Sequence, residues 1–259
     1  MDLFSLFTLK IMVLEKQNYG LIGKNINYSF SKEYFKQKFI DLNLKKSHRY
    51  ENLDLEELKG FQKLINQNNI KGLNVTIPYK EEVMDFLDEI DENAKKIGAV
   101  NTIKVDSNFK LKGYNTDYIG FINSIPKKLL KNIQTGIVLG SGGSSKAIIF
   151  ALNKMGIESI MVSRTKKKNF ITYEELDRSI LLKSQLVINC TPLGTYPNIN
   201  ESPNIPYKYL NKSHLCYDLI YNPKESQFIK KSKTKNAKTI NGLKMLKIQA
   251  DESWKIWNS

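Results

Sequence analysis

Short apolar runs alternate with amphipathic stretches between residues 19 and 114. Runs of this kind predict strands, and the amphipathic spacing predicts helices between them. The strands are expected at residues 19–23, 72–76, 99–105 and 109–114. The helices are expected at residues 32–44, 55–66 and 79–87, with Pro78 just ahead of the first turn of the last one. This part of the chain is therefore predicted to form an α/β lobe.

From residue 117 onward the pattern favours a parallel, doubly wound sheet, because buried strands keep alternating with helices. A connecting helix at 117–130 precedes a buried strand at 135–140 and a helix at 144–155. Further strands are predicted at residues 159–162, 186–190, 215–220 and 238–240, with helices starting near Thr172 and Lys224. The last helix, at 242–257, is expected to pack back on the first lobe.

The first residues include an apolar run at 3–14, which is too short to cross a bilayer and begins at Asp2 instead of a basic segment. We interpret it as an extension ahead of the first strand, with Met12 as a candidate alternative start. Neither a membrane partner nor a secretion signal is expected. The predicted compartment is the cytoplasm.

The formal net charge is +14, and the lysines that cause it are spread along the whole chain. No recognised nucleic-acid-binding motif accompanies the charge, so a solvated lysine-rich surface is favoured over a nucleic-acid footprint. We therefore expect no nucleic-acid partner. Positive potential would nevertheless attract an anionic substrate or a phosphorylated cofactor.

Cysteine and histidine are scarce, which bears on metal and nucleophile chemistry. Cys190 and Cys216 lie in apolar runs, and His48 and His214 are the only histidines. Neither pair has the spacing of a metal site, and no Gly-x-Ser-x-Gly elbow is present. We predict buried, reduced thiols, no metal and no hydrolase chemistry.

A glycine turn follows the strand at 135–140 and opens a helix, formed by Gly140, Ser141, Gly142 and Gly143. Backbone amides at such a turn can bind a pyrophosphate. The Gly-x-Gly-x-x-Gly pattern is incomplete, because Ser145 takes the last glycine position, and a turn of this kind is often only a tight connection. The end of the next strand has no acid for a ribose hydroxyl and instead has Ser163, Arg164, Thr165, Lys166, Lys167 and Lys168. These residues favour NADP over NAD, because basic groups bind a 2′-phosphate.

Polar residues also gather near the predicted strand ends of the first lobe: Ser29, Ser31, Thr76, Lys80, Asn101 and Asp117. Each alone has an ordinary explanation, such as a helix cap at Ser31 or a solvated Lys80. Together they offer hydroxyls for a carboxylate, and an amide, an ammonium and a carboxylate for ring hydroxyls. Because Lys80 and Asp117 stand just upstream of the glycine turn, the order predicts an oxidoreductase acting on a polyhydroxylated small molecule.

The ordered motifs, from about residue 19 to 257, resemble the shikimate dehydrogenase family. They are Ser29-x-Ser31, Asn74-Val75-Thr76-x-Pro78-x-Lys80, Gly98-Ala99-Val100-Asn101-Thr102, Asn115-Thr116-Asp117, Gly140-x-Gly142-Gly143, Arg164-Thr165, Asn189-x-Thr191-Pro192-x-Gly194, Tyr217-Asp218-x-x-Tyr221 and Asn241-Gly242-Leu243-x-Met245-Leu246-x-x-Gln249-Ala250. So many motifs in one order are far more specific than the glycine turn alone.

The resemblance implies NADPH-dependent, reversible reduction of 3-dehydroshikimate to shikimate, a step of chorismate and aromatic amino acid biosynthesis. It implies Lys80 as the catalytic residue with Asp117 as its partner. The substrate would be held by these two and by Ser29, Ser31, Thr76, Asn101, Tyr221 and Gln249. NADP would contact Gly140, Ser141, Gly142, Gly143, Ser144, Ser163, Arg164, Thr165, Lys166, Lys167, Lys168, Thr191, Leu219 and Gly242. Glu92 is a weaker expectation, because the family only sometimes has an acid that contacts the cofactor at this position.

The resemblance also implies two lobes: a substrate-binding domain of residues 1–116, completed by 243–259, and a Rossmann-like cofactor domain of residues 117–242. A monomer or a homodimer is expected. The first substrate motif departs from the family pattern Gly-x-Pro-x-x-His-Ser-x-Ser-Pro-x-x-His-Asn, because Tyr28, Lys32 and Phe35-Lys36 replace its first His, its second Pro and its His-Asn pair.

Two alternatives stay open at this point. One is a quinate/shikimate dehydrogenase that uses NAD or a broader range of substrates. The other is a nucleotide- or nucleic-acid-binding protein that has kept the fold without catalysis, although the presence of both Lys80 and Asp117 argues against it.

Overall fold

The structure is a computed structural model that describes residues 16–26 and 29–259. The apolar run at 3–14, with Met12, lies outside these residues, as does Tyr28. Within the described residues two sheets of six strands carry the fold, and we call the parts built on them the first and the second lobe.

The first lobe contains a mixed sheet in the order β2-β1-β3-β5-β6-β4. Its strands are β1 (Gln17–Gly23), β2 (His48–Asp54), β3 (Ile70–Val75), β4 (Glu89–Ile90), β5 (Thr102–Val105) and β6 (Leu111–Tyr114). Its helices are α1 (Ser31–Asp41), α2 (Phe61–Gln67) and α3 (Glu92–Ile97). Strand β1 is parallel to β2 and β3, whereas β5 is antiparallel to β3 and β6. The α/β lobe predicted here is confirmed.

The second lobe contains an entirely parallel sheet in the order β12-β11-β10-β7-β8-β9. Its strands are β7 (Thr135–Leu139), β8 (Glu158–Ser163), β9 (Phe170–Thr172), β10 (Leu186–Asn189), β11 (Leu215–Asp218) and β12 (Lys238–Ile240). The helices that follow the first lobe are α4 (Asp117–Ser124), α5 (Gly143–Lys154), α6 (Arg178–Lys183), α7 (Gln227–Lys233) and α8 (Leu243–Trp257). The prediction of a parallel, doubly wound sheet is confirmed.

Side chains of the second sheet are buried on both faces, which explains its continuous apolar runs. Ile137 and Leu139 of β7 pack toward α6 and α7, whereas Val138 packs toward α4 and α5. The chain order reverses between β7 and β10, and loops that follow the carboxyl ends of such strands form a crevice. The topology therefore places the glycine turn and the loop after β10 side by side.

Helix α8 joins the two lobes. Met245 packs in the second lobe, whereas Ala250 and Trp257 pack in the aromatic core of the first. The Trp257 indole donates a hydrogen bond to the carbonyl of Ile103 at 2.9 Å, and it covers Gly72 so closely that a Cβ there would lie 2.3 Å from the ring. Gly72→Ala would force this indole outward, because a buried aromatic ring has no spare volume around it.

Several predicted helices are wrong in extent. Residues 79–87 form a turn and a short 3-10 helix, Glu82–Phe86, because the carbonyls of Ile77 and Lys80 accept from Lys24 and Val100 instead of from helical amides. The helix expected at 55–66 begins only after Gly60, which has φ +82°.

Other differences come from short elements. Helix α4 ends at Ser124, ahead of Pro126, and a 3-10 turn, Lys127–Leu129, follows it. A strand, β9, stands where a helix was expected near Thr172, and α6 starts at Arg178. Strands β2 and β4 and helix α3 were not predicted, because they are short or largely polar. No helix in the described ranges has the length and apolar character needed to span a bilayer.

Candidate active site

A cleft lies between the two lobes, at the carboxyl ends of β7, β10 and β11. The structure brings every residue of the predicted substrate set to its walls: Ser29, Ser31, Thr76, Lys80, Asn101, Asp117, Tyr221 and Gln249. Four residues of the predicted cofactor set also line it: Ser144, Thr191, Leu219 and Gly242. Residues far apart in the sequence therefore share one site.

An ammonium–carboxylate pair forms the centre of the cleft. Lys80 Nζ lies 2.7 Å from Asp117 Oδ2, and the two side chains are only 12% and 8% exposed. Asp117 is the first residue of α4, where the helix dipole favours a negative charge. Lys80 follows β3 in the turn that replaces the predicted helix. The result is a desolvated pair of charged groups that faces a cavity.

Asn101 holds the carboxylate in place. Its Nδ2 lies 2.9 Å from Asp117 Oδ1, and its Oδ1 accepts from the backbone N–H of Thr116 at 2.7 Å. The same Asn101 Nδ2 also donates to Oε1 of Gln249, in α8, at 3.3 Å. Buried polar groups with this many partners form a rigid network. Asp117 is therefore fixed from two sides.

Asn74, which also lines the cleft, extends this network. Its Nδ2 donates to Ser253 of α8 at 2.9 Å, and its Oδ1 accepts from the Tyr50 hydroxyl at 2.9 Å. Burial raises the pKa of Tyr50 well above its usual value, so this hydroxyl stays a donor. Asn74 stood in a motif of the sequence, but no role was predicted for it.

The serines of the first motif lie at the start of α1. Ser29 Oγ accepts from the backbone N–H of Ser31 at 3.3 Å, and the ring of Tyr221 lies 6.3 Å from that of Phe30. Ser31 does not cap the helix, as one interpretation had it, because it is the first residue of α1 and follows Phe30 at the cap position. Its side chain instead lines the cleft.

The glycine turn fits the diphosphate of a dinucleotide. Gly140 has φ +111°, a conformation that only glycine adopts readily, and an added Cβ on Gly142 would meet no atom within 4 Å. Helix α5 begins directly after it, so its first amides have no helical partner and can bind an anion. An open backbone ahead of a helix N-terminus is the arrangement that a pyrophosphate requires.

The basic residues after β8 lie beside this turn. Arg164, Thr165, Lys166, Lys167 and Lys168 are exposed, and Lys167 Nζ lies 3.0 Å from Ser141 Oγ of the turn. The buried hydroxyl of Ser163 donates to the carbonyl of Thr165 in its own turn, and Lys166 forms an ion pair with Glu175. An exposed guanidinium and ammonium groups next to a glycine turn suit a 2′-phosphate, so the residues present fit NADP.

The loops after β10 and β11 are braced by the buried carboxylate of Asp218. Its Oδ1 accepts from Asn189 Nδ2 and from the backbone N–H of Ile220, both at 3.0 Å, and its Oδ2 accepts from Ser226. Asn189 in turn accepts from the hydroxyl of Thr191 at 2.6 Å. Burial raises the pKa of Asp218 to about 6. The motifs contained Asn189 and Asp218, but the brace depends on two loops meeting and was not predicted.

Gly242 allows a close approach in the same region. A Cβ on it would lie 2.0 Å from the carbonyl oxygen of Leu219, and its N–H donates to the carbonyl of Ile220 at 3.0 Å.

Thr195 and Cys190 line the cleft without having been predicted to do so, and no local sequence signal singles them out. Burial raises the pKa of both thiols, that of Cys216 to about 12, so neither is a reactive thiolate.

Glu92, the weaker of the predicted cofactor contacts, lies in α3 of the first lobe. It is exposed in the first turn of α3, where its carboxylate lies 3.2 Å from Lys95 Nζ, and it is not among the residues that line the cleft. Its contact with a cofactor stays a prediction.

The fold and the site together define a class, the two-lobed α/β dehydrogenases, in which a parallel sheet with a glycine turn faces a polar substrate lobe. Residues 21–103 match the family model of the shikimate dehydrogenase substrate binding domain. The shikimate dehydrogenase (NADP(+)) of Clostridium botulinum strain Hall is 42% identical over 248 residues, which cover 92% of this chain and 95% of that protein.

Solved structures give the same result. Shikimate dehydrogenase 1 from Peptoclostridium difficile matches with a TM-score of 0.81 and 38% identity, covering 93% of this chain and 91% of that one. The shikimate 5-dehydrogenase from Thermus thermophilus, in complex with NADP(H) and shikimate, matches with a TM-score of 0.82 and 27% identity over 93% of each chain. The chain belongs to the shikimate dehydrogenase family, as its motifs indicated.

Proposed function

We propose that this protein catalyses the reversible, NADPH-dependent reduction of 3-dehydroshikimate to shikimate. The observation that carries the proposal is the pair formed by Lys80 and Asp117, 2.7 Å apart and nearly buried, in a cleft that is also lined by Ser144, the residue directly after the glycine turn. The relatives named for NADP and the Thermus thermophilus complex with shikimate support it.

Lys80 is the proposed catalytic residue. NADPH, when bound, supplies the hydride for the carbonyl carbon. Reduction leaves negative charge on the carbonyl oxygen, and an ammonium held in a desolvated site can stabilise that charge and donate a proton to it. In the opposite direction the same nitrogen accepts the hydroxyl proton. Asp117 orients the nitrogen, and Asn101 orients Asp117 through the 2.9 Å hydrogen bond.

The other walls of the cleft would hold the substrate by its two kinds of oxygen. The hydroxyls of Ser29, Ser31 and Tyr221 are the proposed donors to its carboxylate. Thr76, Asn101, Asp117 and Gln249 are the proposed partners of its ring hydroxyls, since amide and carboxylate groups match hydroxyls as donors and acceptors. The presence of all of them in one cleft supports this division.

NADP would be held by the second lobe. Gly140 to Ser144 would bind the pyrophosphate, Ser163 to Lys168 the adenosine phosphate, and Thr191, Leu219 and Gly242 the nicotinamide half. This division corresponds to a substrate domain of residues 1–116 with 243–259 and a cofactor domain of residues 117–242. A cytoplasmic location, a monomer or homodimer and the lack of a nucleic-acid partner stay predictions from the sequence.

A matrix of two substrates and two cofactors tests the function. Purified protein is mixed with shikimate or quinate and with NADP or NAD, and reduced nicotinamide is followed by absorbance. Shikimate with NADP should give the largest kcat/KM. Faster turnover of quinate with NAD would assign the alternative dehydrogenase, and oligonucleotide binding with a steep salt dependence but no oxidation would reject catalysis altogether.

A further inference from the structure

Lys80 has a second contact, which comes from the opposite lobe. Its Nζ lies 3.2 Å from the hydroxyl of Ser144, in the first turn of α5. Ser144 thus offers two groups. Its backbone N–H belongs to the anion-binding turn, and its hydroxyl is hydrogen-bonded to the Lys80 nitrogen across the cleft.

The packing beside this contact explains how the two lobes come so close. Gly143 lies directly against Lys80, and a Cβ on it would be 2.9 Å from the Cβ of Lys80 and 3.3 Å from that of Ala99. Ala147, one turn further along α5, packs with Ala99 and Ile97 in a small buried cluster. Small side chains on both lobes therefore allow α5 to approach the segment that carries the amine.

We propose that Ser144 is a positioning residue for the Lys80 nitrogen and that it links the amine directly to the cofactor turn. The inference rests on the proposed function, because it concerns the nitrogen to which that function assigns the proton transfer. Asp117 and Ser144 occupy two of the three ammonium donors and leave one for a substrate oxygen.

The hydroxyl does something that the carboxylate cannot do. An ionised carboxylate only accepts hydrogen bonds, whereas a hydroxyl both accepts and donates. Ser144 can therefore accept a hydrogen bond from the Lys80 ammonium. After proton transfer it can donate one to the lone pair of the neutral amine. The two contacts come from the first turns of two different helices, Asp117 in α4 and Ser144 in α5, so the nitrogen is held from two directions.

Three variants test this role: Ser144→Ala, Ser144→Thr and Ser145→Ala. Ser145 is the matched control, because it is the next serine of the same helix, its side chain is buried, and it makes no hydrogen bond to Lys80. Ser144→Ala keeps the backbone amide of the turn. It should lower kcat for shikimate oxidation by about tenfold, since a hydrogen bond to a charged group is lost and the nitrogen is less well placed.

The affinity for NADPH, titrated by fluorescence, should stay unchanged in Ser144→Ala. A second readout needs no turnover: the rate at which an amine-reactive reagent labels Lys80 in the protein without cofactor, measured by peptide mass spectrometry, should rise several-fold. Ser144→Thr, which restores a hydroxyl, should return both values toward the wild type, and Ser145→Ala should change neither. Thermal unfolding of each variant establishes that it is folded.

Equal kcat and equal labelling in Ser144→Ala and Ser145→Ala would overturn the inference. So would a loss of NADPH affinity as large as the loss of kcat, because Ser144 would then act on the cofactor alone. If the wild type oxidises no shikimate, the proposed function fails, whereas the labelling comparison still decides whether Ser144 holds Lys80.

Discussion

Two aspartates are buried at the cleft end of the structure, Asp117 at the start of α4 and Asp218 at the end of β11, and their carboxylates have different surroundings. The Asp117 side chain is 8% exposed and lies 2.7 Å from the ammonium of Lys80. Asp218 is fully buried, and its described partners, Asn189, Ile220 and Ser226, are all neutral donors. The first carboxylate is one half of an ion pair, and the second is the anchor of two loops.

This difference separates chemistry from support. A buried ion pair is unfavourable to desolvate, so its presence next to a cavity points to a use in the reaction. A carboxylate among neutral donors is unfavourable in another way, because burial raises the pKa of Asp218 to about 6 and so opposes its ionisation. Changes at each site should therefore affect different measurements.

The largest effect is expected from Lys80→Ala. Turnover of shikimate should fall by roughly two to four orders of magnitude, because the proton donor and acceptor is lost. The change is measured as kcat, with circular dichroism to verify the fold and with Lys63→Ala, an exposed lysine of α2, as the control. Turnover close to that of the wild type would remove Lys80 from the mechanism.

Asp218→Asn should change stability instead of chemistry, and its effect should depend on pH. Because the folded pKa, about 6, lies above the ordinary value of 3.8, the native state holds the proton more tightly than the unfolded chain does. The protonated Asp218 therefore contributes to the free energy of unfolding. This contribution is fully present below pH 4 and is lost as the pH rises to 6. The difference between the two pKa values corresponds to about 3 kcal/mol, which the asparagine variant should not lose.

Urea unfolding of the wild type and of Asp218→Asn at pH 4, 5, 6 and 7 measures this loss. The free energy of unfolding of the variant, relative to the wild type, should rise across that range. Asp85→Asn, at an exposed carboxylate of the first lobe, serves as the control. Parallel curves for Asp218→Asn and the wild type would mean that Asp218 titrates in the folded protein as it does in the unfolded chain.

The contrast between the two aspartates also shows what the sequence could predict. The strand β7, the glycines and α5 were predicted almost to the residue, because an apolar run followed by glycines and a helix is a local signal. The turn that contains Lys80 was predicted wrongly as a helix. The Lys80 carbonyl accepts from the N–H of Val100, in the segment between α3 and β5, at 2.7 Å, and this tertiary bond overrides local helical preference.

The site shows the same division. The roles of Lys80 and Asp117 were predicted from their resemblance to family motifs, and the fold brings the two together across 37 positions of sequence. The contact of Ser144 with Lys80 and the brace at Asp218 were not predicted. The first depends on how the two lobes approach each other and the second on how two loops of the second lobe meet, and single-residue patterns carry no information on either.

Arg164→Ala tests an exposed charge, in contrast to the two buried ones. The affinity for NADP should fall by about tenfold while that for NAD stays the same, because the guanidinium would pair with the 2′-phosphate that only NADP has. Fluorescence titration with both cofactors measures the ratio, and Arg178→Ala, an exposed arginine of α6, is the control. A similar loss for both cofactors would show that Arg164 does not bind the 2′-phosphate.

The smallest effect is expected at an exposed ion pair that joins the lobes. Lys146 Nζ of α5 lies 2.6 Å from a Glu81 carboxylate oxygen, but the two side chains are 39% and 45% exposed, so water screens them. Lys146→Ala, Glu81→Ala and the double variant should give a coupling energy of less than about 1 kcal/mol in unfolding, and less still at high salt. A larger, salt-independent coupling would contradict this. It would mean that the ion pair, and not the close packing of Gly143 with Ala99, holds α5 against the segment that contains Lys80.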